Sequence, residues 1–124
     1  MLIDPTLQTT GRNCGPAALR FFIQAFFGRH LEVSSEGDES EDNWTLAALI
    51  RAAQISSIEL AAFECLHSEL PSPPYIWLKP AIHEKRAHYV VVVGERACRE
   101  LIFDPLVGFR SGVREEIGSR IIIK

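Results

Sequence analysis

No two cysteines in this 124-residue chain are spaced Cys-x-x-Cys, which excludes a zinc ribbon and a dithiol redox site. Cys14, Cys65 and Cys98 are odd in number and unrelated in spacing, so no disulfide framework is expected. Long apolar runs are also missing. The longest charge-poor stretches, Phe21–Phe27 and Tyr89–Val93, fall far short of the ~20 residues that span a bilayer. The N-terminus has Asp4 and Pro5 where a secretory signal needs a basic start and an apolar run. The chain therefore reads as cytoplasmic, or as exported by a route that leaves no such signal. There is no basic stripe. Net charge is -3, from 13 basic and 16 acidic residues, which argues against a nucleic-acid partner. His30, His67, His83 and His88 form no i,i+4 pair and no His-Glu-x-x-His occurs, so no metal is expected. No Gly-x-x-x-x-Gly-Lys-Ser/Thr is present, and no cofactor is implied.

What is present is an ordinary globular balance, 47% apolar and 23% charged, with enough length to bury one core. No linker or repeat divides residues 1–124, so a single domain is expected. The acids are unevenly placed. Glu32, Glu36, Asp38, Glu39, Glu41 and Asp42 crowd one segment without a basic residue, which reads as a solvated loop over 32–43.

Residues 13–28 predict a helix that is apolar almost all round and so belongs in the middle of a fold. Asn13 suits its N-cap, Pro16 its first turn and Gly28 its stop. Trp44–Ala53 predicts a second, shorter helix. Ile58–Phe63 reads as a strand or the end of a helical stretch, and Leu70–Pro74 as a proline-rich break. Tyr75–Lys79 alternates like a strand. Ala87–Val93, with four consecutive valines, reads as a fully buried strand. Gly94–Arg99 reads as the turn to a further strand, Glu100–Phe103, ended by Asp104-Pro105. Gly108–Gly118 reads as loop, with a helical turn at Arg114–Ile117, and Arg120–Ile123 as a last strand. Helices followed by an antiparallel sheet make an α+β fold.

Three residues stand at element ends in an order that folds into contact. Cys14 opens the apolar helix, where unpaired amides and the helix dipole stabilise a thiolate. His88 begins the valine strand, a rigid mount for an imidazole that would serve the thiol as base. Asp104 ends the neighbouring strand, and in an antiparallel pair the start of one strand lies beside the end of the next. His88 and Asp104 are therefore expected to be neighbours, with Asp104 orienting the ring. Cys65 and Cys98 read as structural or incidental. Trp44, Tyr75 and Trp77 read as core or groove walls, and Tyr89 as a packing residue on the strand face opposite His88.

The segment Gln8-Thr9-Thr10-Gly11-Arg12-Asn13-Cys14-Gly15-Pro16-Ala17-Ala18-Leu19 resembles the nucleophile motif of the bacteriocin-processing peptidases. These are papain-like cysteine peptidases that cut after double-glycine leaders, commonly fused to ABC transporters. His88-Tyr89-Val90-Val91-Val92 resembles their histidine strand, and Asp104-Pro105 with Gly108 their Asp-Pro…Gly motif. Trp44-Thr45-Leu46 to Ala53 and the Leu70–Leu78 stretch match the family's middle, so the resemblance covers about the whole chain. The acidic segment 32–43 and Gly118-Ser119-Arg120 depart from the pattern, and the chain reads as a stand-alone domain.

The resemblance implies a papain-like fold, with the cysteine on a central N-terminal helix packed on an antiparallel sheet. It implies Cys14 as nucleophile, His88 as base and later acid, and Asp104 as the group orienting His88. Gln8 would be the side-chain donor of an oxyanion hole shared with the Cys14 amide, a suitable pair for a developing oxyanion. The expected function is hydrolysis of a peptide or amide bond in a peptide or protein substrate. The same triad would also serve a glutamine deamidase or a ubiquitin-type isopeptidase, the latter broadly similar in layout to the Josephin family. A non-catalytic module that binds leader peptides is the third possibility, although nothing in binding needs a thiolate.

Overall fold

The computed structural model describes residues 14–29, 46–80, 87–105, 107–114 and 118–124. Helix α1 (Cys14–Phe27) forms where alanine, leucine and phenylalanine crowd one segment, and from Ala17 to Ile23 nearly every side chain is buried. Its last turn emerges, leaving Phe26 and Phe27 exposed. Gly28 ends it at a φ of 64°, a left-handed conformation that glycine adopts without a Cβ clash. The expected cap Asn13 lies outside the described residues. Arg29 then donates to the carbonyls of Ser56 and Ser57, capping the end of α2 (Leu46–Ile55) and tying the two helices together.

Six strands follow: β1 (Ala62–Leu66), β2 (Tyr75–Pro80), β3 (Ala87–Arg96), β4 (Arg99–Asp104), β5 (Gly108–Val113) and β6 (Ser119–Ile123). They form one antiparallel sheet in the order β1-β6-β2-β3-β4-β5. Strand alternation divides the apolar residues between two faces. Ile76, Tyr89, Val91, Phe103 and Ile123 pack against α1 and α2. Tyr75, Trp77, Val90, Val92, Ile102 and Ile122 form a second cluster on the opposite face. The valine strand is thus buried on both sides, as its composition predicts. The α+β expectation holds, and no helix among the described residues is long and apolar enough to cross a membrane.

Three expectations need correction. Gly108–Val113 is a strand, not a loop: it pairs with β4 from Asp104↔Gly108 to Arg99↔Val113. Its side chains are largely exposed, because β5 is an edge strand whose identity comes from backbone bonds to β4. The β3–β4 turn is tighter than Gly94–Arg99. Pairing continues to Arg96↔Arg99, and Ala97 and Cys98 alone make the turn, at φ 51° and 66°. Ile58–Phe63, read as a strand or the end of a helical stretch, only overlaps a strand that lies further on, at Ala62–Leu66. The helical turn at Arg114–Ile117, the acidic segment and Trp44 lie wholly or partly outside the described residues.

The second face holds a buried charge. Arg120 on β6 bonds Glu100 on β4 through two contacts of 2.9 Å, and both residues are almost fully buried. Strands β2 and β3 lie between them, so a flat sheet would hold their backbones ~14 Å apart. Arg120 closes that gap by lying across the Trp77 ring of β2, its guanidinium 3.9 Å from the ring centre.

Candidate active site

His88 and Asp104 meet at one end of the sheet. The β3–β4 register sets Val91 opposite Phe103, which puts Asp104 opposite Val90 and diagonal to His88 on one face. Their side chains close that diagonal with a 2.7 Å contact between His88 Nε2 and Asp104 Oδ1. His88 is 24% exposed and Asp104 12%, so the pair is partly desolvated yet open at the histidine. Local sequence builds this corner. Asp104 ends β4, its carbonyl accepts from the Val107 amide, and Gly108 receives the returning chain at φ 89°. That conformation suits glycine and accounts for a glycine in the Asp-Pro…Gly signature.

Cys14 is the first residue of α1, the helix start that the sequence predicts. Its side chain and the whole of Gln8 lie outside the described residues. Helix α1 packs across β3 and β2. Phe21 stacks on Phe103 with ring centroids 4.1 Å apart, so the helix is pinned to the residue just before Asp104. Tyr89 is buried on the helix side, the face opposite His88, as expected. Cys65 and Cys98 are free thiols. Among the described residues no cluster of His, Cys, Asp or Glu could hold a metal.

Sequence reasoning missed two features of the face that carries His88. Lys79 is the direct cross-strand partner of His88, and its Nζ sits 5.4 Å from the centre of the Trp77 ring. Further along, the Arg120 guanidinium lies 3.9 Å over the same ring and donates to the Tyr75 hydroxyl at 3.0 Å. Burial opposes the charge of Arg120, but Glu100 and Tyr75 together outweigh that and hold its pKa above the ordinary value. Burial also pushes the Tyr75 hydroxyl up, against the lowering effect of Arg120.

Among curated protein sequences no significant match is found. Solved structures give several. A double-glycine motif protease from an AMS/PCAT transporter, crystallised with its leader peptide, superposes with a TM-score of 0.67 at 20% identity, over 95% of this chain and 88% of that one. The peptidase domain of Streptococcus ComA, a bi-functional ABC transporter of a quorum-sensing pathway, gives 0.69 at 20% identity, over 95% of each chain. The corresponding domain of Streptococcus mutans ComA gives 0.68 at 20% identity, over 96% and 95%. At this identity they establish the papain-like fold. The profile of the peptidase C39 family matches residues 3–120, nearly the full length, and the chain therefore belongs to the peptidase C39 family of cysteine peptidases.

Proposed function

We propose that residues 1–124 act as one papain-like peptidase domain that cleaves a peptide through Cys14, His88, Asp104 and Gln8. The observation that carries this reading is the 2.7 Å bond between His88 Nε2 and Asp104 Oδ1. A carboxylate at Nε2 accepts the proton of that nitrogen, so proton exchange with the thiol falls to Nδ1. His88 is the second residue of β3 and faces away from the α1 layer. The nucleophile reading requires a thiol at the N-terminus of α1 to reach the imidazole around the open end of the strand.

The chemistry runs in two halves. Nδ1 of His88 takes the Cys14 proton, and the thiolate sulfur bonds the substrate carbonyl carbon, pushing an electron pair onto its oxygen. The Gln8 side-chain amide and the Cys14 backbone amide hold that oxyanion. The C–N bond then breaks, and the imidazolium gives its proton to the leaving amine. Water, deprotonated by His88, attacks the thioester and releases the acid and the free thiol. Asp104 stabilises the imidazolium in both halves.

The similarity to a double-glycine motif protease solved with its leader peptide favours a peptide in which two successive glycines precede the scissile bond. Incubation of the chain with such a peptide, followed by mass spectrometry, tests this. Cleavage after the second glycine is expected, with none by Cys14→Ala. Equal cleavage by Cys14→Ala would end the nucleophile assignment. Mass gain in an intact protein partner would replace proteolysis with deamidation.

A further inference from the structure

We infer that Phe109 is a positioning residue for the site: together with Phe103 it brackets Phe21, and so sets where the helix that opens on Cys14 lies against the strand end that carries Asp104. The inference rests on Cys14 and His88 being the nucleophile and base of the site.

Three phenylalanines from three elements touch one another. Phe21 of α1 stacks on Phe103 of β4, with centroids 4.1 Å apart and planes 20° from parallel. Phe109 of β5 meets Phe21 at 5.6 Å and 74°, and Phe103 at 5.3 Å and 61°. The β4–β5 register explains the last contact, since it pairs Phe103 directly with Phe109 and Asp104 with Gly108. Both rings therefore stand on the helix side of the sheet, one residue pair short of the corner where Asp104 meets His88.

The two ring geometries constrain different motions. A stacked pair fixes the spacing of its planes and resists sliding within them only weakly. A third ring set steeply against both blocks that slide in its own direction. The constraint passes along the helix, which is unbroken from Cys14 to Phe27. Residues 14 and 21 are seven apart, so they lie on one face of α1, two turns or about 10 Å from each other. A shift at Phe21 is thus a shift of the helix start, and misplacing a reacting group by about 1 Å can cost about 100-fold in rate. The His88–Asp104 pair has its own support, because the β3–β4 ladder holds Val91 opposite Phe103.

Core filling does not account for this ring. Phe103 is fully buried, whereas Phe109 is 50% exposed and has exposed Arg110 and Ser111 beside it on the edge strand. Half in water, it brings only part of the stabilisation of a buried phenylalanine. What it does bring is contact with two rings, each on an element that carries the site.

The test compares Phe109→Leu with the parent chain. Leucine keeps apolar bulk on β5 and removes the ring edge. Alkylation of Cys14 at neutral pH, read by peptide mass spectrometry, should slow about tenfold. Cleavage of a peptide with two successive glycines before the scissile bond should lose kcat by the same factor, with KM unchanged. The NMR titration of the His88 ring, taken in Cys14→Ala and assigned by His88→Gln, should not move. Phe109→Tyr, which keeps the ring, should retain the parent values, as should Val113→Ala, an exposed change on the same strand. If Phe109→Leu does not fold, Phe109→Met replaces it. Unchanged Cys14 alkylation in the folded variant overturns the proposal. An equal loss in Val113→Ala also overturns it, as a general loosening of β5. A raised KM with kcat intact overturns it by making Phe109 a substrate contact, and a displaced His88 titration does so by routing the effect through Asp104. Failure of the site reading shows separately, in the parent chain: Cys14 then labels as an ordinary thiol and His88→Ala changes nothing.

Discussion

Asp104→Asn separates charge from shape at the site. Asparagine keeps the side-chain size and an oxygen able to accept from His88 Nε2, and removes the negative charge. The bonded atoms are 2.7 Å apart, which puts the charge centres at about 4 Å. Two unit charges at that distance interact by about 1 kcal/mol in water and about 4 kcal/mol at the effective dielectric of a protein surface. With His88 24% and Asp104 12% exposed, the pair falls between these limits, at about 2 kcal/mol. That converts to about 1.5 pH units on the imidazole. The sign follows from the charges: the carboxylate favours the imidazolium, so its loss lowers the His88 pKa. The same 2 kcal/mol should slow alkylation of Cys14 at neutral pH by about 30-fold. Ring titration by NMR and the labelling rate of Cys14 measure the two quantities on one variant. A His88 pKa that rises or stays put in folded Asp104→Asn would refute the assignment of Asp104 as the partner that charges the ring.

The buried ion pair and the buried tyrosine give further tests. Glu100→Ala leaves the Arg120 guanidinium, 1% exposed, without its carboxylate, and should cost 3–5 kcal/mol of unfolding free energy, about what breaking a buried pair costs. Urea denaturation measures it, and the double variant Glu100→Leu with Arg120→Met should recover much of the loss. A single variant within 1 kcal/mol of wild type, about the value of a surface pair, would show that the pair is not desolvated. Tyr75 predicts an alkaline limit. Its hydroxyl is pushed above the ordinary value of 10.0, so the folded state holds the proton more tightly than the unfolded one. The resulting stability is present below pH 10 and is lost as pH rises through the folded-state pKa. Tyr75→Phe should flatten that decline in thermal melts above pH 10, and an unchanged decline would exclude Tyr75 as its source.

How far the sequence reached depends on what kind of interaction places each residue. The helix from Cys14 to Phe27 was legible because its punctuation is local, with Gly28 stopping it. The His88–Asp104 contact was legible because hairpin geometry converts sequence order into proximity, and the valine strand left no doubt about which segment paired. Strand β5 was not, since Gly108, Arg110, Ser111 and Gly112 give a composition indistinguishable from loop. The Ala97-Cys98 turn escaped because neither residue is the glycine or asparagine that usually marks a two-residue turn with positive φ. Non-local order was beyond reach altogether. Strand β6 inserts between β1 and β2, and Arg120 then reaches Glu100 across two intervening strands. No local pattern in Gly118-Ser119-Arg120 signals that. The pairing of Lys79 with His88 and its place over Trp77 were missed for a related reason: they come from strand register, not from neighbours in sequence.

The central claim is that Cys14 forms a thiolate–imidazolium pair with His88. The most direct measurement is the pH dependence of iodoacetamide labelling, read cysteine by cysteine through peptide mass spectrometry. The account predicts that Cys14 labels well below the ~8.5 pKa of an ordinary thiol, and that His88→Ala abolishes this. Cys14 labelling with the profile of an ordinary thiol, or unchanged by His88→Ala, would contradict it.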